Sequence, residues 1–484
     1  MGNLHKGHQE LIHSAKRSKD NLTLLSIFIN PLQFDDKEDL INYPRTLDKD
    51  IEIAFNSGAD AIFIPSINEV YPNKQTKVKS MKASISLSKT LCGLHRKGHF
   101  DGVCTVINRL LEIIKPEIIY LGEKDWQQLL IIKKMVKDNN IKISIKSVDT
   151  QRDKDGIPFS SRNNLLLKSD REKLKLFSNI LFYAKENFKL TKNIDINNIL
   201  KKLKEIDINV EYLTHLNAFN LQKPSHESNI TILAGAIICG NTRLIDHVFL
   251  MKRKPIIAID GPAGAGKSTI SKLLSNKLDF IYLDTGAMYR ALSWYLIKEK
   301  INYENIKELN AILKEISITF KSVSNSDQEV MVNKHNVTDK IRSPEINEIV
   351  ASIASMKPVR EFLVQEQRKI GSKGGIVAEG RDIGSKVFPN SELKIFLTAT
   401  INERAKRRKI DLENLGYENI DFEQLKNQIE KRDYNDSNRE ISPLVQAKDA
   451  IEIISDGLNV EEIVEQILEI YLDTIPKELL SQFK

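Results

Sequence analysis

Short apolar runs rich in β-branched residues alternate with longer stretches of helical periodicity along this chain. In the first half, apolar residues spaced on one helical face occupy residues 47–55 and end at Gly58, and residues 126–136 show the same periodicity. The runs that predict strands there are residues 22–29, 61–64, 118–121 and 141–148. Because strands that alternate with helices are typical of parallel sheets covered by helices, this half predicts an α/β domain.

The pattern changes toward the middle of the chain. Residues 169–207 are lysine-rich with a long helical pattern, and an apolar run at residues 230–238 follows, which together predict a second, smaller module. Another strand is predicted at residues 256–260, so any linker before it is only a few residues long. We therefore expect one domain at residues 1–252 and another at residues 253–484.

The composition is that of an ordinary globular protein, with 484 residues, of which 41% are hydrophobic and 28% charged. The net charge of +7 comes from interleaved basic and acidic residues, and only 7% of residues are aromatic, so we expect no nucleic-acid partner. The longest apolar run, residues 230–239, is too short to span a bilayer, so we expect no membrane partner and a cytoplasmic location. Three cysteines without a CxxC pair fit a reducing compartment.

The second half contains a phosphate-binding motif directly after its first predicted strand. The sequence GPAGAGKST matches G-x4-G-K-[ST], and a helical stretch at residues 271–278 follows it, which is the context that the motif requires. Backbone N–H groups of such a loop surround phosphates, Lys267 can reach the β and γ phosphates of ATP, and Ser268 can hold Mg²⁺. The predicted nucleotide-binding residues are Gly261, Pro262, Ala263, Gly264, Ala265, Gly266, Lys267, Ser268 and Thr269.

Other motifs must identify the acceptor, because kinases, ATPases and GTPases share the phosphate loop. The segment after the loop has no N-K-x-D guanine motif, which disfavours a GTPase. Residues 283–290 (LDTGAMYR), 378–382 (AEGRD) and 431–439 (KRDYNDSNR) resemble the motifs of bacterial cytidylate kinases, and the resemblance covers residues 255–484. It implies a P-loop nucleoside monophosphate kinase that transfers the γ-phosphoryl group of ATP to CMP or dCMP, with UMP as an open alternative.

This resemblance also implies roles for individual residues. The acceptor nucleotide would be bound by Asp284, Thr285, Tyr289, Arg290, Arg360, Arg381, Asp382 and Arg439. The implied catalytic residues are Lys267, Arg432 and Asp436, and Arg404, Arg407 and Arg408 would lie on a helix leading to a lid. Arginine forks suit the charge that phosphoryl transfer spreads over oxygens, although any single arginine could instead form a surface salt bridge. The family serine nine residues before the Arg360 position is shifted here by one place, to Ser352.

The first half begins with an H-x-G-H motif ahead of a helical stretch at residues 9–19. Gly7 between His5 and His8 lets the backbone approach a bulky ligand, and the N-terminus of a helix favours anions. Two imidazoles at this position could bind ATP phosphates. The four-residue pattern alone also fits ordinary histidines at the start of a helix, so its context must decide.

That context resembles pantothenate synthetase, also called pantoate-beta-alanine ligase, of the H-x-G-H nucleotidyltransferase superfamily. The resemblance extends over about residues 1–250 and is carried by FINPLQF (28–34), GHFDGV (98–103), GEKDWQQ (122–128), FSSRN (159–163), LAGA (233–236) and NTRLID (241–246). It implies a Rossmann-like α/β domain with a small C-terminal subdomain. The implied reaction converts ATP and pantoate to pantoyl adenylate and pyrophosphate, after which β-alanine attacks to give pantothenate and AMP. A homodimer through this domain follows from the same resemblance.

The ligase resemblance likewise implies site residues. The catalytic residues would be His5, His8, Lys124 and Arg162, with His8 as the proton donor. The ATP contacts would be Met1, Gly2, Asn3, Leu4, Gly7, Gly122, Glu123, Asp125, Phe159, Ser160 and Ser161. The pantoate contacts would be Asn30, Gln33 and Gln128. Cations such as Lys124 and Arg162 suit a triphosphate, and amides can bind a hydroxy acid without adding negative charge beside its carboxylate.

Three alternatives stay open for the first half. His95 and His99 could join the histidines of the motif in a zinc site, but no acidic third ligand is evident, and Mg²⁺ carried by ATP is sufficient. The first half could also be a degenerate nucleotide-binding or scaffolding domain beside an active kinase. As an enzyme, it could instead adenylate or cytidylylate another substrate.

The two ends of the sequence carry expectations of their own. The ligase resemblance implies a strand and a loop before the H-x-G-H turn, whereas this sequence begins at the motif itself. We therefore expect the sheet to lack a central strand and the nucleotide site to lack part of its wall. At the other end, the stretch after Tyr471 predicts a frayed helical end.

Overall fold

The computed structural model describes residues 2–17, 21–35, 37–72, 80–323, 327–414 and 416–481. The chain divides into two compact units, the first formed by Met1–Lys252 together with Ile475–Lys484, and the second by Arg253–Thr474. Each unit has its own sheets and its own apolar core. The segment from Ile475 onward, which the sequence boundary assigns to the second domain, is grouped with the first unit.

The first unit opens with an α/β part that contains four short strands. The strands are β1 Leu24–Ser26, β2 Ala61–Phe63, β3 Ile118–Gly122 and β4 Ser144–Val148. The helices are α1 Lys6–Lys16, α2 Lys37–Asn42, α3 Leu47–Asn56, α4 Ile67–Val70, α5 Ile85–Ser88, α6 Cys92–His95, α7 His99–Ile114 and α8 Trp126–Asp138. All four predicted strands are present, and the three helices predicted near residues 9, 47 and 126 are α1, α3 and α8.

The four strands form two separate parallel pairs, β1 with β2 and β3 with β4. Within the described ranges no strand joins one pair to the other. Leu4 and Ile12 are buried with Leu25 and Ile27 in a small core beside the first pair. The α/β part is therefore described as two parallel strand pairs.

The smaller module completes the first unit. It consists of α9 Lys168–Thr191, α10 Ile196–Glu205, β5 Asn209–Asn217, β6 Ile230–Cys239 and β7 Thr242–Met251. The three strands form an antiparallel sheet in the order β5-β6-β7. Phe177, Leu181 and Phe188 of α9 are buried in the core that this sheet shares with the helix. The lysine-rich pattern therefore predicts the helical segment correctly, and the structure divides it into two helices.

The second unit is built around a five-stranded parallel sheet in the order β15-β14-β8-β13-β9. The strands of this unit are β8 Ile256–Asp260, β9 Ile281–Asp284, β10 Ile318–Val323, β11 Asp327–Val332, β12 His335–Asn336, β13 Ile376–Gly380, β14 Leu393–Thr398 and β15 Ile451–Ile454. The helices are α11 Lys267–Leu278, α12 Thr285–Lys298, α13 Ile306–Glu315, α14 Pro344–Ser355, α15 Lys357–Ile370, α16 Ile401–Asn414, α17 Phe422–Asn438 and α18 Val460–Thr474. β8 is central and fully buried, which places the phosphate loop that follows it at the carboxyl edge of the sheet.

Residues 472–481, the described part of the stretch after Tyr471, are packed, so the prediction of a frayed helical end was wrong for them. A short helix, α19 Lys477–Leu480, follows α18, and Ile475 and Leu479 are each only 1% exposed. Ile475 lies in the bend before this helix and Leu479 lies on the helix, so the burial covers both the connection and the helix. A pattern this short gives too weak a periodic signal to predict packing from sequence.

Among the helices that the structure describes, none is both long enough and apolar enough to cross a bilayer.

Candidate active sites

The H-x-G-H turn of the first unit forms the N-terminal cap of α1. The His5 ring accepts a hydrogen bond at Nδ1 from the Gly7 N–H (3.2 Å), and the His8 ring accepts one at Nδ1 from the His5 N–H (3.3 Å). The two rings lie 3.9 Å apart between centroids. Because each Nδ1 accepts a backbone hydrogen bond, the proton of each neutral ring is assigned to Nε2.

Both imidazoles are neutral over the physiological range. Burial, followed by the positive charge of Lys124, lowers the pKa of His5 from 6.5 to about 4. Burial and the neighbouring His5 hold the pKa of His8 well below its usual value. The turn therefore presents two neutral N–H donors, which suits phosphate oxygens.

Two residues from distant parts of the sequence fix this turn. The Asp50 carboxylate of α3 accepts the N–H groups of Asn3 (2.8 Å) and Leu4 (2.7 Å), and it is only 2% exposed. Ser161 accepts a bond from the Asn3 side chain at its carbonyl oxygen (2.8 Å) and donates from its hydroxyl to the carbonyls of Gly2 and Asn3. Ser161, predicted to bind ATP, therefore holds the backbone of the turn.

The sequence gives no sign of the role of Asp50, because an acidic residue in the first turn of a helix is common for other reasons. Met1, also predicted to bind ATP, lies outside the described residues.

The side chains of the predicted ATP loop, residues 122–125, have different surroundings. Lys124 lies 3.6 Å from the Asp125 carboxylate, and its charge lowers the pKa of His5, so it faces the H-x-G-H turn. Glu123 is 1% exposed and accepts hydrogen bonds from the Ser147 hydroxyl (2.8 Å) and from the Lys477 N–H (2.9 and 3.1 Å). With its carboxylate engaged in this way, Glu123 offers a nucleotide only its backbone.

Arg162 and Phe159 lie beside the turn. The Arg162 guanidinium pairs with Asp39 (3.0 Å) and lies over the Tyr43 ring, and its backbone N–H donates to the Ser160 hydroxyl (3.3 Å). Phe159 stacks on His5 with ring centroids 6.3 Å apart. The pair with Asp39 uses the Nη2 of Arg162, and a guanidinium has further N–H donors that can bind a phosphate.

A cleft in the first unit continues from Lys124 and Asp125. Gln128, predicted to bind pantoate, lines it. Arg96, Tyr212 and His247 also line it, although no sequence motif predicts them, and so does His99, for which the sequence suggests only a zinc site. Burial, then Arg96, lowers the pKa of His99 to about 4, and burial lowers that of His247 to about 4. The four lining residues are far apart in the sequence, so only the fold brings them together.

The other predicted pantoate residues are Gln33 and Asn30, and they differ in how far they can contact a ligand in the cleft. The Gln33 carbonyl contacts the Nδ1 of His99 (2.6 Å), so its backbone reaches the wall of the cleft. Asn30 is 2% exposed, and its amide donates to the Gly102 carbonyl (3.1 Å) and accepts from the Tyr71 hydroxyl (2.8 Å). Asn30 therefore braces the loop that carries Gln33.

The phosphate loop of the second unit connects β8 to α11. Gly261, Gly264 and Gly266 have φ values of +152°, +77° and +87°, and a Cβ at Gly261 would lie 1.9 Å from the Leu397 carbonyl. Lys267 is buried and donates to the Pro262 carbonyl (2.7 Å), so it closes the loop on itself. Burial, then the cations Arg381 and Arg432, lowers the pKa of Lys267.

The predicted acceptor residues form a linked set near the loop. Asp284 caps α12 by accepting the Ala287 N–H (2.8 Å) and pairs with Arg290 (2.9 Å), while the Thr285 hydroxyl donates to the Glu379 carbonyl (2.7 Å). Arg360 pairs with Asp382. The Arg360 guanidinium also lies 5.5 Å from the centre of the Tyr289 ring.

The arginines near α17 face the same region. Arg381 pairs with Asp436 (2.9 Å), and Arg439 interacts electrostatically with Arg360, Asp382 and Asp436. Arg404 is committed elsewhere, since it makes a bidentate pair with Asp433 (2.6 and 3.0 Å) and contacts the Ala263 carbonyl.

The remaining arginines of α16 flank this network, because a Cβ at Gly266 would lie 3.8 Å from Arg407 and Arg408 interacts electrostatically with Arg432. Arg407 pairs with Glu403 (3.1 Å) and bonds to Ser455, and Arg408 is exposed. Ser352, where the family serine is displaced, is exposed on α14. Among the described contacts, none joins Ser352 to Arg360.

No group of three or more potential metal ligands occurs among the described residues. The Ser268 hydroxyl, predicted to hold Mg²⁺, hydrogen-bonds with Tyr282 and Glu379. Burial raises the pKa of the Glu379 carboxylate. An oxygen-rich group beside a phosphate loop fits a hard cation that arrives with a nucleotide.

The folds and sites define this chain as two phosphate-handling enzymes in succession, an H-x-G-H nucleotidyltransferase and a P-loop kinase. The pantoate-beta-alanine ligase family model matches residues 1–249, and the cytidylate kinase family model matches residues 257–473. The chain belongs to the bifunctional pantoate ligase/cytidylate kinase family.

Two bifunctional relatives match this chain over almost its full length. A bifunctional pantoate ligase/cytidylate kinase of Prochlorococcus marinus (strain MIT 9215) is 61% identical over 99% of this chain and 94% of the relative. An enzyme of the same description from strain MIT 9312 is 59% identical over 99% of this chain and 94% of the relative. A solved pantothenate synthetase from Thermus thermophilus is 31% identical and covers 51% of this chain and 90% of that chain, with a TM-score of 0.47.

Proposed function

We propose that the first unit condenses pantoate with β-alanine at the expense of ATP, and that the second unit phosphorylates CMP or dCMP with ATP. The observation that carries the proposal is the presence of two separate sites, each with the phosphate-binding turn and the cations that its chemistry needs. The family matches over both halves support the same conclusion. They do not favour a scaffolding role for the first half.

In the first ligase step, a pantoate carboxylate oxygen attacks the α-phosphorus of ATP. A phosphorus–oxygen bond forms to the carboxylate, and the bond to the bridging oxygen breaks to release pyrophosphate. The neutral Nε2–H groups of His5 and His8 donate hydrogen bonds to phosphate oxygens. Lys124 and Arg162 offset the charge that develops on the triphosphate.

In the second ligase step, the amine of β-alanine attacks the acyl carbon of pantoyl adenylate. A carbon–nitrogen bond forms, AMP leaves with the shared oxygen, and the amine loses a proton. Gln128 and the backbone of Gln33 are the groups we assign to pantoate, because they line or approach the cleft that contains Lys124. Adenylation makes this attack possible by turning a poor leaving oxygen into a good one.

In the kinase, the oxygen of the acceptor phosphate attacks the γ-phosphorus, and ADP leaves. Lys267 exchanges its contact with the Pro262 carbonyl for phosphate oxygens, and Arg381, Arg432 and Arg439 neutralise the transferred group. Asp436 positions Arg381 through their ion pair. Mg²⁺ would be held by Ser268 and the nucleotide, and it would supply further charge neutralisation.

The test is AMP and pyrophosphate release from ATP and pantoate, with and without β-alanine, in the absence of CMP. AMP formation that needs both acids supports the ligase. ATP binding without AMP release would instead support a scaffolding first domain. Formation of the nucleoside diphosphate is measured separately with CMP, dCMP and UMP, and a preference for UMP would overturn the acceptor assignment.

The cytoplasmic location and a homodimer through the first domain remain predictions. Light scattering of the purified chain tests the dimer.

A further inference from the structure

Residues 475–481, here called the returning segment, make specific contacts in the first unit. The Lys477 N–H donates to both carboxylate oxygens of Glu123, at 2.9 and 3.1 Å. Glu478 pairs with Lys185 of α9 and accepts the Phe249 N–H (3.4 Å). Ile475 and Leu479 are buried, so these polar contacts sit on a packed apolar base.

These contacts reach both sides of the predicted ATP loop at residues 122–125. Glu123 is bonded directly by the returning segment. Trp126, at the other end of the loop, packs edge to face on Phe249 with ring centroids 4.8 Å apart, and the Phe249 N–H is the one that Glu478 accepts. Lys124, the cation facing His5, lies between these two braced positions.

Glu123 needs this partner for a physical reason. Its carboxylate is 1% exposed, and the donors that the structure gives it are the Ser147 hydroxyl and the Lys477 N–H. A buried carboxylate that loses a donor is costly, and it relieves that cost by moving or by taking up a proton. Movement of Glu123 would displace Lys124, the next residue in the chain.

We propose that the returning segment is a positioning element of the ligase site, acting through the Lys477 N–H on Glu123 and so on Lys124. The proposal rests on the proposed ligase function. It gives residues that follow the kinase in sequence a role in the chemistry of the first unit. The kinase should not depend on it, because the second unit ends at Thr474.

Lys477→Pro tests the proposal because it removes the N–H together with the side chain, whose charge also acts on Glu123 and Asp149. Lys477 is the first residue of α19, a position where proline is tolerated, and Pro476 before it has φ −52° and ψ 131°, which a following proline permits. Lys477→Ala is the matched control, since it removes the same side chain but keeps the N–H.

We expect Lys477→Pro to lower the ligase kcat/KM for ATP by about tenfold, as misplacement of a binding group does, and Lys477→Ala to stay within about twofold of the parent chain. CDP formation in the same samples should be unchanged. Equal ligase activity in the two variants would overturn the proposal. Absence of ligase activity in the parent chain would instead overturn the proposed function.

A shortened chain tests the proposal independently, in case Lys477→Pro fails to fold. A chain ending at Thr474 should lose ligase activity and keep kinase activity, and a synthetic peptide of residues 475–484 should restore AMP formation as its concentration rises. A merely structural role would change unfolding temperature without this dose-dependent rescue. Full ligase activity of the shortened chain, or no response to the peptide, would contradict the proposal.

Discussion

Arg360 donates a guanidinium N–H to the carboxylate of Asp382, and both side chains are more than nine-tenths buried. The pair also lies against Tyr289 in the proposed acceptor pocket. A buried arginine that is balanced by a carboxylate is ready to bind a second anion, such as the phosphate of CMP.

Replacing Arg360 should therefore weaken acceptor binding. We expect Arg360→Ala to raise the KM for CMP by about tenfold to a hundredfold, the loss typical of a hydrogen bond to a charged group, with little change in the KM for ATP. Lys369→Ala, an exposed position on the same helix, is the control. Steady-state CDP formation gives both constants, and an equal rise in both would argue against an acceptor-specific role.

The two activities should be separable by single substitutions. Lys267→Ala should abolish CDP formation, because no other group in the loop can bridge the phosphates, and it should leave pantothenate formation intact. His8→Ala should do the reverse. Assays of both products from each variant check this, and loss of both activities from either change would show that the sites are not independent.

Asp50 should be essential to the ligase although it is far from the motif in sequence. Asp50→Ala leaves the N–H groups of Asn3 and Leu4 without their acceptor, so we expect a loss of about 2–4 kcal/mol in the stability of the first unit. Ligase activity should fall with it. The control is Asp48→Ala, an exposed change on the same helix. Denaturant unfolding followed by Trp126 fluorescence measures the effect, and equal midpoints for the two variants would refute it.

The buried histidines predict a specific pH response. The pKa values of His5, His99 and His247 are each lowered to about 4, chiefly by burial, from 6.5. Their contribution to stability is therefore complete above pH 6.5 and is lost as the pH falls toward 4, because the unfolded chain then takes up protons that the folded chain does not. NMR titration checks this, and imidazole shifts of these residues that move near pH 6.5 would contradict it.

The sequence predicted the parts of this protein that depend on local pattern. The strand at residues 256–260 and the helices α3 and α8 follow from periodicity, and the phosphate loop and the H-x-G-H turn follow from motifs whose backbone chemistry is local. The role of Asp50 in holding the H-x-G-H turn and the place of His247 in the lining of the cleft could not be predicted in this way. Their roles come from contacts between segments tens to hundreds of residues apart, which no short window contains.

The fate of residues after Tyr471 shows the same limit. Read alone, they predict a loose helical end, because two apolar residues are too few to reveal a buried face. Their order comes from partners such as Lys185 and Glu123, which lie more than 290 residues earlier in the chain.

The returning segment also separates two meanings of a domain boundary. The chain leaves the first unit at Lys252 and contributes to it again from Ile475, so no single cut in the gene divides the protein into its two folded bodies. An exchange of the kinase for another by recombination at residue 252 would carry away a piece of the ligase. Separation of the two enzymes at residue 252 would leave the ligase without residues 475–484. The kinase would then carry a C-terminal segment whose packing partners are absent.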